Sequence, residues 1–496
     1  MALLDVVTKT STWSILGVFG TLGIIYLSVS TYLSYRKLSH IRGPCQKRGL
    51  HADEKSGEGE NSFARIAPDQ IVTDDASVNT YMVATKSPFT RGHWFQGMKF
   101  DPRVDNVLSL QDEEQHAKLR AQLIPGYSGR EVPSLESEID GRVLDLIDLI
   151  RRNYVSQHRA LDFSKIAGYF TLDSLTQIAF GRALGFLKED RDLYDYIRSS
   201  TAYFPIMEMG SNHPWILRFL NSRLMRGAAP KPGDKVGFGA IIGFARDTIS
   251  ARYSAHRSKD GDIEKRDMLN AFIKHGLTQQ QTESEALILI LAGSDSTATS
   301  LRSTMLHLLT SPSAYARLVS ELDAAARDGR ISSPVVTNAE AMALPYLSAC
   351  IREGLRIYPP FGGLAGRVVP KEGVTLNGVF IPGGTAIALS SYGMMRKKAV
   401  FGEDADVFRP ERWLEADQDR LKVMEGVWEL TFSKGRAACL GKGIALMELR
   451  KAFVALLSNF EFVIVNPFNA MQTKINSVAI QEGFMLRATE RNRNKV

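Results

Sequence analysis

The sequence predicts a mainly α-helical fold with small β-sheets, preceded by one N-terminal transmembrane helix. The chain has 496 residues, of which 44% are hydrophobic and 23% charged. This suffices for one large core or about three domains of ordinary size. Long segments carry apolar residues at helical spacing, whereas strand-like stretches are short and lie in two places. An uncharged run near the N-terminus is long enough to cross the roughly 30 Å hydrocarbon core of a bilayer.

The uncharged run covers residues 10–35 and predicts a single membrane anchor. Trp13 and Tyr32 lie near its opposite ends, as interfacial aromatic residues do. Basic residues follow the run, at Arg36 and Lys37 and again at Arg42, whereas the residues before the run carry no excess of positive charge. The positive-inside rule therefore places residues 1–9 in the lumen and the rest of the chain in the cytosol. A cleaved secretory signal is the alternative, although the run is long for one.

Residues 36–64 are polar and Gly-rich and predict a linker, so that the folded body covers residues 65–496. Within the body, helical periodicity predicts four helices: Ser137–Ile150, Thr282–Thr310, Ala314–Arg327 and Leu344–Ile357. Pro312 is expected to stop the second of these. The pair Asn377-Gly378 predicts a tight hairpin between Val374–Leu376 and Val379–Ile381. A further strand is expected at Thr385–Leu389, and an internal loop at Gly227–Gly239.

Charge and cysteine content limit the function classes. The net charge of +7 is a mild basic bias that fits an acidic partner or a membrane surface as well as nucleic acid. The three cysteines are Cys45, Cys350 and Cys439, a set too sparse for a disulfide scaffold. They indicate a reducing compartment and allow one cysteine to serve chemistry.

The most informative motif surrounds Cys439. Glycines at Gly435 and Gly441 allow the backbone to approach a flat ligand closely. A helical run follows, and a helix N-terminus near the sulfur favours the thiolate that binds metal. A lone buried cysteine at the start of a helix is the alternative interpretation for Cys439 taken by itself.

Two charged motifs accompany this loop. Glu353 and Arg356 lie three residues apart on an apolar helix, where a buried Arg needs a full set of acceptors. Arg412 lies in the segment Phe408–Trp413, which contains a Pro-Glu-Arg sequence. In isolation, a Glu and an Arg at this spacing are usually a solvated surface pair of little energetic consequence.

Polar residues also interrupt the longest predicted helix. Asp295, Ser296 and Thr297 follow a strongly apolar run, and an unpaired buried carboxylate at Asp295 would be costly. Hydroxyl groups bonded back to the backbone loosen a helix and open a groove. A plain helix–helix contact is the alternative.

In order and spacing, these motifs resemble the cytochrome P450 superfamily over about Arg65–Arg487. The likeness is greatest to its microsomal fungal members and their pisatin-demethylase-like group. The resemblance implies the cytochrome P450 fold and a haem b whose iron has Cys439 as its axial ligand. It implies that Asp295, Ser296 and Thr297 relay protons to bound dioxygen. It also implies a structural network of Glu353, Arg356 and Arg412 that braces the cysteine loop.

The resemblance assigns further residues to the cofactor. Around it would lie Phe432, Gly435, Arg436 and Gly441. Its propionates would be bound by His116, Arg120 and Arg367, because charged donors form strong hydrogen bonds to carboxylates. For His116, a solvated helix face is the alternative.

Three departures from the family pattern affect these expectations. Ala437 stands where the family usually carries an Arg that contacts a propionate, so haem binding is weakened or Arg436 reaches round to compensate. Ser296 stands where Thr is usual, so proton delivery leaks or Thr297 shares the task. Between Gly43-Pro44 and Arg65–Pro68 the amphipathic helix and first strand of the family are expected to be missing, through divergence or through an error in the gene model.

The resemblance implies a monooxygenase that uses O2 and NADPH, with electrons from NADPH-cytochrome P450 reductase, with or without cytochrome b5. It implies the endoplasmic reticulum membrane, contact with membrane lipid and no nucleic-acid partner. A basic surface that suits an acidic flavin domain would comprise Lys434, Arg436, Lys442, Arg450 and Lys451. A solvated helix face explains the last three equally well.

The substrate is expected to be a lipophilic small molecule. Candidate contacts are the segments Phe89–Phe100, Tyr203–Met209, Leu287–Ala292, Phe361–Leu364 and the residue Phe484. An intermediate of fungal secondary metabolism and a detoxified phenolic or xenobiotic compound both fit. Two alternatives come from other classes: a haem-thiolate isomerase or dehydratase that needs no reductase, and a degraded, non-catalytic membrane protein.

Overall fold

The computed structural model describes residues 62–220, 230–257, 266–475 and 477–491, together with 28–41 and a few single residues: Thr21, Ile25, Tyr26, Gly43, Ser222 and Met225. Of the predicted anchor, residues 10–20, 22–24 and 27 lie outside this part of the chain, as do residues 1–9 and 44–61. Among the described residues, no helix is both long and apolar enough to span a bilayer.

The described body is mainly helical, as predicted, with small sheets. The helices are Ala76–Val83, Glu113–Tyr127, Leu135–Ile150, Phe163–Phe180, Phe186–Glu189, Tyr196–Asn212, Pro214–Leu220, Gly237–Arg257, Met268–Lys274, Gln279–Leu309, Pro312–Arg327, Asn338–Met342, Pro345–Ile357, Ser391–Met394, Lys398–Phe401, Arg412–Glu415, Gln418–Trp428 and Lys442–Asn459. All four predicted helices are confirmed, with their first residues displaced by one to three positions and their last residues by at most one. Pro312 begins the following helix at its first position, where proline lacks no needed N–H.

Twelve strands occur in the described part of the chain: β1 (Phe63–Ala67), β2 (Gln70–Thr73), β3 (Thr90–Arg91), β4 (Leu161–Asp162), β5 (Arg367–Val368), β6 (Val374–Leu376), β7 (Val379–Ile381), β8 (Ala386–Leu389), β9 (Phe460–Ile464), β10 (Gln472–Ile475), β11 (Ala479–Glu482) and β12 (Met485–Glu490). The sheets have the orders β1-β2-β8-β5-β3, β4-β12-β9, β6-β7 and β10-β11. The predicted hairpin is confirmed, since β6 and β7 pair antiparallel around Asn377 and Gly378, which both have positive φ.

The long helix (Gln279–Leu309) is the central element of the core. Its start is fixed by a capping box in which Thr278 and Gln281 satisfy each other's backbone N–H groups. Apolar residues on several faces are buried, among them Leu291, Leu301 and Met305. A helix that is buried on most sides holds its polar residues away from bulk water. The long helix thus places Asp295 inside the body.

The segment before the catalytic body packs against the first sheet. Leu38 and Ile41, at the start of the predicted linker, are buried in a cluster with Phe63 and Ile71. Arg65 donates to the Leu38 carbonyl at 3.0 Å. The segment that begins at Arg65 is itself part of β1 and pairs with β2. The predicted loss of an amphipathic helix and a first strand before it stays a prediction, because residues 44–61 lie outside the described part of the chain.

Candidate functional site

The cysteine loop (Phe432–Gly441) ends directly before the helix Lys442–Asn459. The Cys439 N–H donates to the Phe432 carbonyl at 2.7 Å, which closes the loop. Gly435 has a φ of +56°, and a Cβ there would lie 2.5 Å from the Val83 carbonyl oxygen. Only glycine fits both constraints. The Phe432 ring packs edge-on against Trp428 with centroids 5.6 Å apart.

Cys439 is an exposed residue, but surrounding protein atoms displace much of the water from its sulfur. This desolvation raises the pKa of the Cys439 thiol, and the N–H groups of Gly441 and Lys442 and the charge of Arg120 oppose that rise. Arg120 therefore lies close enough to the sulfur to act on it electrostatically. The predicted metal ligand and one predicted propionate ligand belong to the same site.

A cation cluster (Arg91, Glu113, His116, Arg120, Arg367 and Arg436) adjoins the cysteine loop. Arg91 Nη2 lies 2.6 Å from His116 Nε2, and Arg367 Nη1 donates to Glu113 Oε1 at 3.0 Å. Arg436 Nε is 3.6 Å from Glu113 Oε2, and its guanidinium also donates to the Phe89 carbonyl. Arg436 thus reaches round into the cluster although Ala437 occupies the usual position. The solvated-face alternative for His116 is wrong, because His116 is 1% exposed.

The cluster holds four guanidinium groups and a single carboxylate. Burial and the neighbouring guanidinium groups lower the pKa of Arg91 to about 9 and the pKa of His116 to about 3. Burial likewise lowers the pKa of Arg367 to about 10. Burial is the largest cause of each shift; the excess of positive charge follows from the four guanidinium groups and the single carboxylate.

This excess of charge fits haem. Four buried atoms of the cluster have no hydrogen-bond partner: Arg91 Nε, Glu113 Oε2, His116 Nδ1 and Arg436 Nε. A flat dianion whose carboxylates meet the guanidinium groups and whose metal meets the Cys439 sulfur satisfies both the charge and the donors. Arg91 and Glu113 were missed by the sequence argument, because neither lies in a motif of the cysteine loop or shares its spacing.

The brace (Glu353, Arg356 and Arg412) forms as predicted. Glu353 accepts two hydrogen bonds from Arg356 at 2.8 and 2.9 Å and one from Arg412 at 2.9 Å. All three side chains are at most 2% exposed. Burial by itself would raise the pKa of Glu353, but the hydrogen bond and charge of Arg356 and the charge of Arg412 hold it below its usual value.

The sequence argument missed two members of this network. Trp413 Nε1 donates to Glu353 Oε2 at 2.9 Å, and Asp404 accepts from Arg412 at 2.9 Å. The remaining guanidinium donors of Arg356 bond to carbonyl oxygens of Met395 and Ala405. Full pairing makes the brace a structural element.

The polar residues of the long helix have three different environments. Burial raises the pKa of Asp295 to about 6, against an opposing charge at Arg302, and Asp295 Oδ2 is buried without a hydrogen-bond partner. Ser296 Oγ donates to the Ala292 carbonyl at 2.7 Å, as expected for a back-bonded hydroxyl. Thr297 is buried. A plain helix contact accounts for Gly293, where a Cβ would lie 2.9 Å from Leu175, but not for Asp295.

Three of the predicted substrate segments meet in space. The Trp94 ring packs edge-on against Phe361 with centroids 5.6 Å apart, and Glu208 bonds to Ser477, whose carbonyl accepts from the Gly362 N–H. Phe484 is different: it is 0% exposed and packs against Phe163 in the core. Its assignment as a substrate contact is therefore wrong.

The predicted basic surface also needs a correction. Lys451 is 0% exposed and donates to Asp140 at 2.6 Å and to the Val336 carbonyl at 2.6 Å. It is a buried structural cation and cannot contact a partner. Lys442 pairs with Glu429, and Lys434 donates to the Gly426 carbonyl, so both keep only part of their donors for a partner.

Comparisons with known proteins agree with this geometry. A model of the cytochrome P450 family matches residues 67–488. Cytochrome P450 monooxygenase aba1 of Botryotinia fuckeliana is 37% identical over 434 residues, covering 86% of this chain and 84% of the relative. Cytochrome P450 monooxygenase ABA1 of Pyricularia oryzae is 36% identical over 492 residues, covering 94% and 95%. Cytochrome P450 monooxygenase mpaDE of Penicillium brevicompactum is 30% identical over 478 residues, covering 91% and 55%.

Proposed function

This chain belongs to the cytochrome P450 family and, like its named relatives, is a monooxygenase; on that premise we propose that it oxidises a lipophilic intermediate of fungal secondary metabolism. The observation that carries the proposal is that Arg436, which belongs to the same loop as Cys439, lies 3.6 Å from Glu113 of the cation cluster. This arrangement provides a sulfur ligand and an anion site side by side. The apolar candidate contacts, such as Phe361 and Leu364, support a lipophilic substrate.

This proposal needs haem b, for which Cys439 would supply the sulfur ligand. Arg120, Arg367 and Arg436 would hold its carboxylates, with His116 as a further donor. When bound, the haem would activate dioxygen, so that one oxygen atom enters the substrate and the other leaves as water with two protons and the two electrons drawn from NADPH. The protein orients the substrate and excludes water around it.

Asp295 has the role of holding and releasing a proton. With a pKa of about 6, this carboxyl changes its protonation state readily near neutral pH, as an acid–base group must. Ser296 and Thr297 follow it on the same helix and supply hydroxyl groups along the path to solvent water. The isomerase or dehydratase alternative gives Asp295 no task, although its burial without a partner is costly.

Electrons come from NADPH through a reductase, and residues 10–35 anchor the chain in the endoplasmic reticulum membrane with the body in the cytosol. The uncharged run and the basic residues after it support the anchor. Lys434, Lys442 and Arg450 support an acidic flavoprotein partner, whereas Arg436 points into the cation cluster. The degraded, non-catalytic alternative is set aside, because the cysteine loop, brace and cation cluster are all assembled.

The proposal is tested by turnover with a reductase, NADPH and isotopically labelled dioxygen on a panel of lipophilic terpenoids, polyketides and phenolic compounds. We expect one labelled oxygen atom in the product and strict dependence on NADPH. Turnover that persists without NADPH and leaves the product unlabelled would show an isomerase or dehydratase instead. Labelling confined to the phenolic compounds would favour detoxification over secondary metabolism.

A further inference from the structure

The Glu208 cluster (Trp94, Glu208, Ser211, Asn212 and Ser477) lies where three predicted substrate segments meet. Glu208, Ser211 and Asn212 occupy the last turns of the helix Tyr196–Asn212. This helix packs against residues 93–98, which contain Trp94. Ser477 approaches from the turn before β11, and the neighbouring Val478 pairs with Phe361. The segments around the cluster are mainly apolar, so the polar side chains at this point require a structural or functional reason.

The carboxyl of Glu208 is already oriented by the protein. Asn212 Nδ2 donates to Glu208 Oε1 at 2.8 Å, and the Ser477 hydroxyl donates to Glu208 Oε2. Two fixed donors restrict the carboxyl to one orientation. Its remaining lone pairs are free to accept from a ligand, because each carboxylate oxygen has two acceptor positions.

Around this carboxyl, other polar groups lack partners. Trp94 Nε1, Ser211 Oγ and Asn212 Oδ1 are buried and make no hydrogen bond within the described residues. Trp94 is 3% exposed and Ser211 is 0% exposed. Burial raises the pKa of Glu208, and the nearby Asn212 and Trp94 side chains oppose that rise. The Trp94 N–H nevertheless makes no well-aligned hydrogen bond in the described part of the chain. Buried donors and acceptors without partners are costly, so they indicate a polar ligand atom.

The combination of groups selects the chemistry of that ligand. A hydroxyl group both donates and accepts, and so matches an oriented carboxyl together with an indole N–H. A second carboxylate would be repelled by Glu208. An ammonium group has no lone pair to accept the Trp94 N–H. An ether accepts the Trp94 N–H but leaves Glu208 unpaired, because it has no hydrogen to donate, and a hydrocarbon leaves both unpaired.

We propose that the Glu208 cluster binds a hydroxyl group of the lipophilic substrate, with Glu208 accepting its proton and Trp94 donating to its oxygen. The substrate class is thus a lipophilic alcohol, bound by a polar group away from the position that is oxidised. This inference rests on the proposed function and narrows it. Glu208 and Trp94 act as specificity-determining residues and take no part in the oxidation.

The test uses haem-loaded protein and three probes of equal carbon skeleton: farnesol, farnesyl methyl ether and farnesoic acid. The dissociation constant of each probe is measured from the spectral change of the haem on binding. In the wild-type chain we expect farnesol to bind at least about tenfold more tightly than either analogue, as for a hydrogen bond to a charged group. The variants are Glu208→Gln, Trp94→Phe and Ser477→Ala, with Glu403→Gln as the control carboxylate, because its side chain is 90% exposed.

We expect Glu208→Gln to reduce the preference for farnesol over its ether to about threefold or less. Trp94→Phe should weaken the binding of farnesol and of its ether to a similar extent, because both oxygens accept the Trp94 N–H. A purely structural role for Glu208 predicts a different result: weaker binding of all three probes in Glu208→Gln and Ser477→Ala alike, with unchanged ratios. Unchanged ratios in Glu208→Gln, or a wild-type chain that does not prefer farnesol, would overturn the inference. If Glu208→Gln does not retain haem, Glu208→Asp, which withdraws the carboxylate from the ligand, decides the matter by the same ratio. Failure of the proposed function would appear separately, as a reduced carbon monoxide spectrum without the thiolate band in the wild-type chain.

Discussion

The brace and the cation cluster are two buried polar clusters that differ in how completely their atoms are paired. In the brace, Glu353, Arg356 and Arg412 have partners for every buried side-chain nitrogen and oxygen. In the cation cluster, four buried polar atoms have none, and four guanidinium groups face one carboxylate. Both clusters use Arg and Glu, but the brace is buried more deeply, since the Arg436 and Glu113 side chains of the cation cluster are 15% and 19% exposed.

The difference shows how a structural cluster is distinguished from a binding site. An unpaired buried polar atom costs about 1–3 kcal/mol, so a cluster with four of them is stable only because the rest of the fold supports it. An anionic ligand removes this cost on binding for the three nitrogen atoms, Arg91 Nε, His116 Nδ1 and Arg436 Nε. The brace needs no ligand, and the cation cluster needs an anion.

The largest effect is expected from Glu353→Gln in the brace. The substitution leaves the charges of Arg356 and Arg412 buried without a counter-charge, which costs about 3–5 kcal/mol. Urea unfolding followed by tryptophan fluorescence measures the loss. The control is Asp148→Asn, which breaks an exposed pair with Arg152 and should change stability by at most about 0.5 kcal/mol. Equal midpoints for the two variants would contradict the structural role of the brace.

In the cation cluster, the effect is expected on haem and not on the fold. Arg367→Gln removes one donor to an anion and also relieves repulsion with Arg91 and Arg436. We expect haem transfer to apomyoglobin to become about tenfold faster, as for one lost charge-assisted hydrogen bond. The apoprotein should unfold at the same urea concentration as wild type, or higher. A destabilised apoprotein with unchanged haem loss would assign Arg367 to the fold.

Asp295 should show a conflict between stability and activity. Its folded pKa of about 6 lies above the ordinary 3.8, so the folded state binds more protons between these values. Stability therefore falls as pH rises through this window, and the cost remains above pH 6. Asp295→Asn should raise stability by about 1–2 kcal/mol at pH 8 while lowering turnover. At pH 4 the two chains should have nearly equal stability. A variant that is less stable at pH 8 would refute this account.

The smallest effect is expected at Ser296. Its hydroxyl already donates to the Ala292 carbonyl, so Ser296→Ala should lower product per NADPH modestly and raise hydrogen peroxide. Thr297→Ala is the comparison, and the two variants together show whether the hydroxyls share the proton path. Product yield and peroxide are measured in the same reaction. A loss of turnover in Ser296→Ala as large as that in Asp295→Asn would show that Thr297 does not share the proton path with Ser296.

Local patterns predicted the fold well where a local cause determines an element. The turn at Asn377-Gly378 and the long helix follow from short-range rules, and both are confirmed. The sequence predicts a linker at residues 38–41, because no local pattern marks them. Leu38 and Ile41 become part of the core only through packing against β1 and β2. The sequence predicts an exposed Lys451, because the residues that pair with it, Glu136 and Asp140, are about three hundred residues away in the sequence.

The site could be predicted as far as its motifs extend. Cys439 and the brace lie in segments with their own spacing signal, whereas Arg91 and Glu113 enter the cation cluster through β3 and a separate helix. Asp404 and Trp413 complete the brace through loop contacts that no periodicity marks. Glu208 lies on an ordinary helix, and only its contact with Ser477 reveals it. Long-range contacts of single polar residues are what a sequence pattern leaves undetermined.

The central claim, that Cys439 holds the haem as a thiolate, is tested most directly by the spectrum of the reduced protein with carbon monoxide. We expect a red-shifted Soret band in the wild-type chain, since a thiolate ligand produces it. Cys350→Ala, at a buried cysteine on the helix Pro345–Ile357 outside the cysteine loop, should retain the band. Cys439→Ala should lose it while keeping its far-ultraviolet circular dichroism. A band that survives in Cys439→Ala, or is absent from well-folded wild-type protein, would contradict the account.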